Sequence, residues 1–188
     1  MGVLLPACSD GLKLDASAID VTGAEYGKDF RLQDESGQWR TLADYRGKLV
    51  MIFFGFTQCP DVCPAAMTQA VEVLKLLGDN AARVQVLFVS LDPERDTPEL
   101  LRAYIRNFHP GFVALRGDVE LTRATAEHFK VFFRKVPFAG SYTIEHSAFV
   151  YVYDRQGRLR RALRSDMSAQ AQATAIRPLL GDRGTGPG

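Results

Sequence analysis

An α/β chain, folded as a three-layer sandwich around a central mixed sheet, is what the sequence predicts. Three observations carry that expectation. Two continuous apolar runs, Leu49–Phe56 and Val84–Leu91, have the length of strands covered on both faces. Segments with apolar residues at three- and four-residue spacing alternate with these runs. Near the C-terminal end, Asp154-Arg155-Gln156-Gly157 separates two further strand-like runs as a hairpin turn would.

Taken in order, Leu49–Phe56 reads as a central strand. A helix follows from Pro64 to Leu77, with Met67, Val71, Leu74 and Leu77 on one face and Gly78 as its stop signal. Val84–Leu91 is the second buried strand. Asp96-Thr97-Pro98-Glu99 opens the next helix: a capping side chain, a proline in the first turn and an acid near the positive end of the dipole. That helix carries Leu100, Leu101, Tyr104, Ile105 and Phe108, and Pro110-Gly111 ends it. Phe112–Leu115 reads as a short strand, Val119–Phe129 as a helix and Val131–Val136 as an extended stretch. Ser147–Tyr153 and Leu159–Leu163 flank the hairpin turn, and a last helix runs over Ser168–Leu180. Strand, helix, strand, helix, then hairpin and helix is a thioredoxin-like order.

The chain has 188 residues, 46% of them hydrophobic and 24% charged, which suits one domain with its own core. Its formal net charge of +1 argues against a general nucleic-acid binder. No apolar run approaches the ~20 residues of a membrane-spanning helix. Residues 1–27, polar and glycine-spaced after the first few, are expected as a tether, residues 28–181 as the folded domain and residues 182–188 as a disordered tail. Within the tether, Leu4-Leu5-Pro6-Ala7-Cys8-Ser9 resembles a bacterial lipoprotein signal, in which Cys8 would be lipidated. An ordinary exposed cysteine is the alternative.

Chemistry concentrates at Cys59-Pro60-Asp61-Val62-Cys63-Pro64, between the first buried strand and the first helix. In open α/β sheets ligands bind at that end of the strands. A helix start near Pro64 puts unpaired N–H groups beside the sulfurs and favours thiolates. Two adjacent thiolates suit a disulfide or a soft metal ion. Simple thiol exchange fits less well, because the spacing is C-x-x-x-C rather than C-x-x-C. The strand expected to face the cysteines is preceded by Glu145-His146 and not by proline. Asp61 is expected to fix the turn between the cysteines. Asp92 reads either as a turn residue before Pro93 or as an acid that supports the site or docks a partner. Met67 reads as core, and His109 and His128 as structural residues at helix ends. The basic run Arg155, Arg158, Arg160, Arg161 and Arg164 reads as a solvated strand edge, with attraction to anionic lipid as the alternative.

Three segments in order, Gly55-Phe56-Thr57-Gln58-Cys59-Pro60-Asp61-Val62-Cys63-Pro64, Ser90-Leu91-Asp92-Pro93-Glu94-Arg95-Asp96-Thr97-Pro98 and Glu145-His146-Ser147, are similar to the Sco/SenC family from about Asp20 to Leu180. The resemblance implies a thioredoxin-fold copper protein that helps assemble the dinuclear copper centre of cytochrome c oxidase. It implies one copper per chain, as Cu(I) or Cu(II), held by Cys59, Cys63 and His146. Glu145 stands where the family commonly has Asp, and the charge is kept. The implied partners are oxidase subunit II, a periplasmic copper donor and a thioredoxin-like reductant. The implied place is the bacterial periplasm, anchored to the inner membrane through Cys8 or an N-terminal signal. Chemistry agrees with the ligand set: Cu(I) is satisfied by two thiolates and an imidazole, whereas structural zinc prefers four protein ligands. A carrier without enzymatic turnover is the leading expectation. A thiol–disulfide reductase for the oxidase cysteines and a redox or copper sensor are the competing ones.

Overall fold

The computed structural model describes residues 18–181. Ten strands and four α-helices follow one another: β1 (Ala18–Asp20), β2 (Arg31–Asp34), β3 (Trp39–Thr41), β4 (Leu49–Gly55), α1 (Val62–Leu77), β5 (Val84–Ser90), α2 (Pro98–Arg106), β6 (Val113–Arg116), α3 (Val119–His128), β7 (Phe133–Phe138), β8 (Ser141–His146), β9 (Phe149–Tyr153), β10 (Leu159–Arg164) and α4 (Ala169–Gly181). Eight of the strands form one sheet in the order β1-β10-β9-β4-β5-β6-β2-β3, and β7 with β8 forms a separate ribbon. β4, β5 and β6 run parallel and the other pairings are antiparallel, so the central sheet is mixed.

Register explains why the central strands read as unbroken apolar runs. Ala18, Leu163, Val150, Phe53, Phe88 and Ala114 lie in one row across six strands, all on the face covered by α1, α2 and α4. The next row, Ile19, Ala162, Tyr151, Ile52, Leu87 and Val113, turns to the opposite face, where Ala126 of α3 packs with Phe129, Phe30 and Leu32. With helices on both sides, every residue of β4 and β5 is buried and alternation disappears. Thr97 caps α2, its side chain accepting from the Leu100 amide, and Pro98 opens the helix as its sequence indicates.

Several expectations are corrected. The tether expected over 1–27 contains β1, which pairs antiparallel with β10, so residues from Ala18 belong to the sheet. The earlier part of that tether, Cys8 included, and the tail at 182–188 lie outside the described residues. The strand expected over Ser147–Tyr153 begins two residues later, as β9 at Phe149, and β8, which the sequence did not announce, ends just before it at His146. The extended stretch expected over Val131–Val136 is β7, shifted to Phe133–Phe138, and it pairs only with β8.

The basic run is also not a free edge, because β1 covers β10. Arg158 and Arg160 pair with buried Asp154, Arg161 with Asp20, Arg164 with Asp166, and Arg155 donates to the Gly47 carbonyl. These partners account for the run without a lipid surface. No helix among the described residues is long and apolar enough to cross a membrane.

Candidate metal centre

β4 delivers the chain into a tight turn, and Cys63 is the second residue of α1. Asp61 stands at the N-cap position but makes no side-chain capping bond, and it is exposed. Its place is taken by sulfur: the Cys63 amide donates to Cys59 Sγ at 3.4 Å. The expected role of Asp61 is therefore carried by its backbone, whose carbonyl accepts from the Ala65 amide at 3.1 Å.

The third residue arrives from far along the chain. His146 ends β8, and its Nε2 lies 3.6 Å from Cys63 Sγ. The ring is oriented from behind, since Nδ1 lies 3.0 Å from the Ser147 carbonyl, which can only accept. Nδ1 therefore carries a proton, which leaves Nε2 as the ring atom that faces the sulfurs. Phe53 and Phe56 meet the imidazole edge-on at 6.0 and 6.1 Å between ring centres. One ligand atom each from Cys59, Cys63 and His146 lies within 4.8 Å of the others, and both cysteines are free. Two soft sulfurs and one imidazole, walled by apolar rings, make a donor set for a soft metal ion.

The thiolates expected from the helix start are realised at Cys59 and not at Cys63. Cys59 is brought down to about 4, chiefly by the bond that the Cys63 thiol donates to it, against the opposing effect of burial. His146 and the amides of Cys63 and Asp61 also lower it. Cys63 moves the other way, raised by that same bond, by burial and by the Cys59 charge. Cys59 is half-buried, whereas Cys63 is fully buried. Iodoacetamide is therefore expected to label Cys59 and spare Cys63 in the reduced native protein at pH 6, as read by peptide mass spectrometry. The labelling rate should fall only as pH drops towards about 4. Equal labelling of both cysteines would refute this asymmetry. The depressed Cys59 value contributes stability that grows with pH from about 4 to its ordinary 9.0 and is lost as pH falls through about 4.

The remaining candidates find their places. Met67 is buried in the core. His109 accepts the Gly111 amide through Nδ1, and His128 Nε2 accepts the Lys28 amide, so both are structural as read from sequence. Glu145 is exposed and pairs with Arg134 at 2.7 Å. Asp92 is fully buried and bonds Arg95 and the Tyr142 hydroxyl, which leaves it no surface on which to dock a partner. Sequence reasoning missed Asp96, Arg95 and Tyr142 as residues near the site. In sequence Asp96 belongs to the helix-start signal; in the fold Thr97 caps the helix, and Asp96 turns back to the Thr57 amide and hydroxyl. Beside Cys59 a cleft of about 340 Å³ opens between Gln58 and Pro60 on one side and the tip of the β7–β8 ribbon on the other.

A family model described as SCO1/SenC matches residues 20–181. The chain belongs to the SCO1/SenC family. Similarity within it is substantial. An SCO2-like protein of Rickettsia prowazekii is 37% identical over 147 residues, 77% of this chain and 72% of that protein. Among solved structures, ScoI of Bradyrhizobium japonicum with copper bound is 37% identical with a TM-score of 0.73, covering 81% of this chain and 98% of that chain. Yeast Sco1 with copper bound is 30% identical with a TM-score of 0.73, covering 80% of this chain and 86% of that chain. The thioredoxin-like fold read from the order of elements is the fold of these SCO1/SenC structures.

Proposed function

We propose that this chain carries copper on Cys59, Cys63 and His146 and delivers it to the dinuclear copper site of cytochrome c oxidase subunit II. The observation that carries the reading is the convergence of two sulfurs and one oriented imidazole within 4.8 Å, in a chain whose family relatives have been solved with copper bound. Cu(I) is soft and tolerates low coordination, so this trio suffices without a fourth protein ligand. Delivery proceeds by ligand exchange: an incoming cysteine thiolate of the acceptor binds the ion as a site thiolate lets go. Oxidation of Cys59 and Cys63 to a disulfide removes both sulfur donors, so the same pair can switch carriage off. The oxidase client, a periplasmic copper donor and a thioredoxin-like reductant come from the family resemblance. With them comes a periplasmic location held at the inner membrane, with Cys8 as the candidate anchor.

A second reading, a thiol–disulfide reductase for the oxidase cysteines, is favoured by the accessible Cys59 thiolate. His146 separates the two, because dithiol exchange has no need of that ring. His146→Ala is expected to weaken Cu(I) binding by at least about a hundredfold in anaerobic competition titrations, since losing even an outer-shell partner of a ligand costs about 10–100-fold. Its rate of reduction of a peptide disulfide should change little. Unaltered Cu(I) affinity in His146→Ala would overturn the three-ligand carrier, and loss of disulfide exchange alone would favour the reductase.

A further inference from the structure

Two buried acids sit four residues apart on the loop between β5 and α2, and they reach in opposite directions. Asp96, fully buried, accepts the Thr57 amide at 3.2 Å and the hydroxyls of Thr57 and Ser90 at 2.6 Å each. Thr57 stands two residues before Cys59. Asp92, equally buried, accepts Arg95 Nε at 2.5 Å and the Tyr142 hydroxyl at 2.7 Å. Arg95 closes the bracket: its Nη1 donates to the Tyr142 carbonyl at 2.8 Å, and its guanidinium lies 3.7 Å from the centre of the Tyr142 ring. Tyr142 stands four residues before His146 on β8. The loop itself is a closed turn, with the amides of Arg95 and Asp96 both donating to the Asp92 carbonyl at 3.1 and 2.8 Å.

This matters because the ribbon carrying His146 belongs to no larger sheet. An isolated two-stranded hairpin is marginal in water, so its height above the cysteine turn must be fixed by other contacts. After His146, the Ser147 amide donates to the Phe132 carbonyl and the Phe132 amide to the Ser147 hydroxyl, which holds the ribbon's base to itself. The Asp92–Arg95–Tyr142 bracket ties the ribbon to the body that also holds Thr57. None of these residues belongs to the cluster of ligand atoms.

We propose that the Asp92–Asp96 loop is the frame that sets the gap between the cysteine pair and His146: Asp96 positions the cysteine turn, and Asp92, Arg95 and Tyr142 position the histidine ribbon. The inference deepens the three-ligand reading above and rests on it. Its test pairs Arg95→Met with the milder Tyr142→Phe, which keeps the ring and removes only the hydroxyl. Each is placed in the wild-type and His146→Ala backgrounds. Arg95→Met is expected to weaken Cu(I) binding about tenfold in the wild-type background, the scale of a lost charge-assisted bond pair. In the His146→Ala background it should change binding less than twofold, because the residue acts through that ring. Tyr142→Phe should follow with a smaller loss that likewise vanishes without His146. In the reduced, copper-free protein, hydrogen exchange of the Ser141–His146 amides should quicken about tenfold in Arg95→Met, while the amides of β4 and β5 keep their rates. Equal Cu(I) losses in both backgrounds, or unchanged exchange in the ribbon, would overturn the frame. If His146→Ala by itself leaves Cu(I) affinity intact, the three-ligand site is what fails, and the exchange rates then decide the positioning on their own.

Discussion

Saturating Cu(I) is expected to raise the melting temperature of the reduced protein by about 8–16 °C. The trio joins the start of α1 to the end of β8, and Cys63 and His146 are separated by 83 positions, so an ion bound to all three exists only in the folded chain. A ligand confined to the folded state stabilises it by about 4 kcal/mol at a thousandfold excess over Kd. For a chain of this length each kcal/mol shifts the melting temperature by about 2–4 °C. A Cys59–Cys63 disulfide closes a loop of only four positions, worth about 2 kcal/mol at most on chain entropy. Oxidation also sacrifices the stabilised Cys59 thiolate, which offsets that gain. The expected order is copper-bound first, with reduced and oxidised copper-free protein close together. Calorimetric traces that coincide with and without Cu(I) would mean that no ion bridges the two segments.

Replacing Gly55 with alanine should cost about 2–3 kcal/mol, lower the melting temperature by about 4–12 °C and spoil copper binding together with stability. A methyl group there would lie 2.8 Å from Cys63 Sγ and 3.0 Å from ring carbons of Phe53 and Phe88. None of the three can retreat freely, because all are buried in the core beneath α1. Gly181→Ala is the control, since nothing lies within 4 Å of its added methyl, and it should melt as the wild type does. A Gly55→Ala protein with native stability and full Cu(I) affinity would show that the strand end is not closed around the sulfur.

Which parts of this molecule could be read without coordinates follows from where the signal is local. β4 and β5 announce themselves because both faces are buried, and α2 because Thr97 and Pro98 mark its first turn. β2 and β3 pass unnoticed. They are four and three residues long, and their pairing depends on Asp34 gathering the Ser36 and Gln38 amides and Arg40 into a turn. β8 is hidden for a related reason. Its partner β7 alternates weakly and includes Pro137, and nothing local says that the ribbon stands apart from the sheet. The cysteine pair is legible from spacing and surroundings. His146 needed the family resemblance, since a separation of 83 positions carries no hint that its ring returns to the sulfurs. The opposite charge preferences of Cys59 and Cys63 were not legible at all: they depend on which sulfur receives the bond and which gives it.

β1 has a consequence for where a force on the N-terminal side of the domain is felt. Ala18 pairs with Leu163, Leu163 with Val150 and Val150 with Phe53, so the chain enters the sheet level with Phe53, two residues below the end of β4. That entry is three strands away from β4, roughly 14 Å sideways at the usual strand spacing, and at the same rim as the sulfurs. A pull applied to the chain at Ala18 therefore acts on the end that holds Cys59, Cys63 and His146. Were the domain to pivot about Ala18, the turn at Asp154–Gly157 would sweep the wide arcs and the sulfurs the narrow ones. In the proposed carrier, held at that point, the sulfurs would stay close to the point of attachment whatever the girth of the domain.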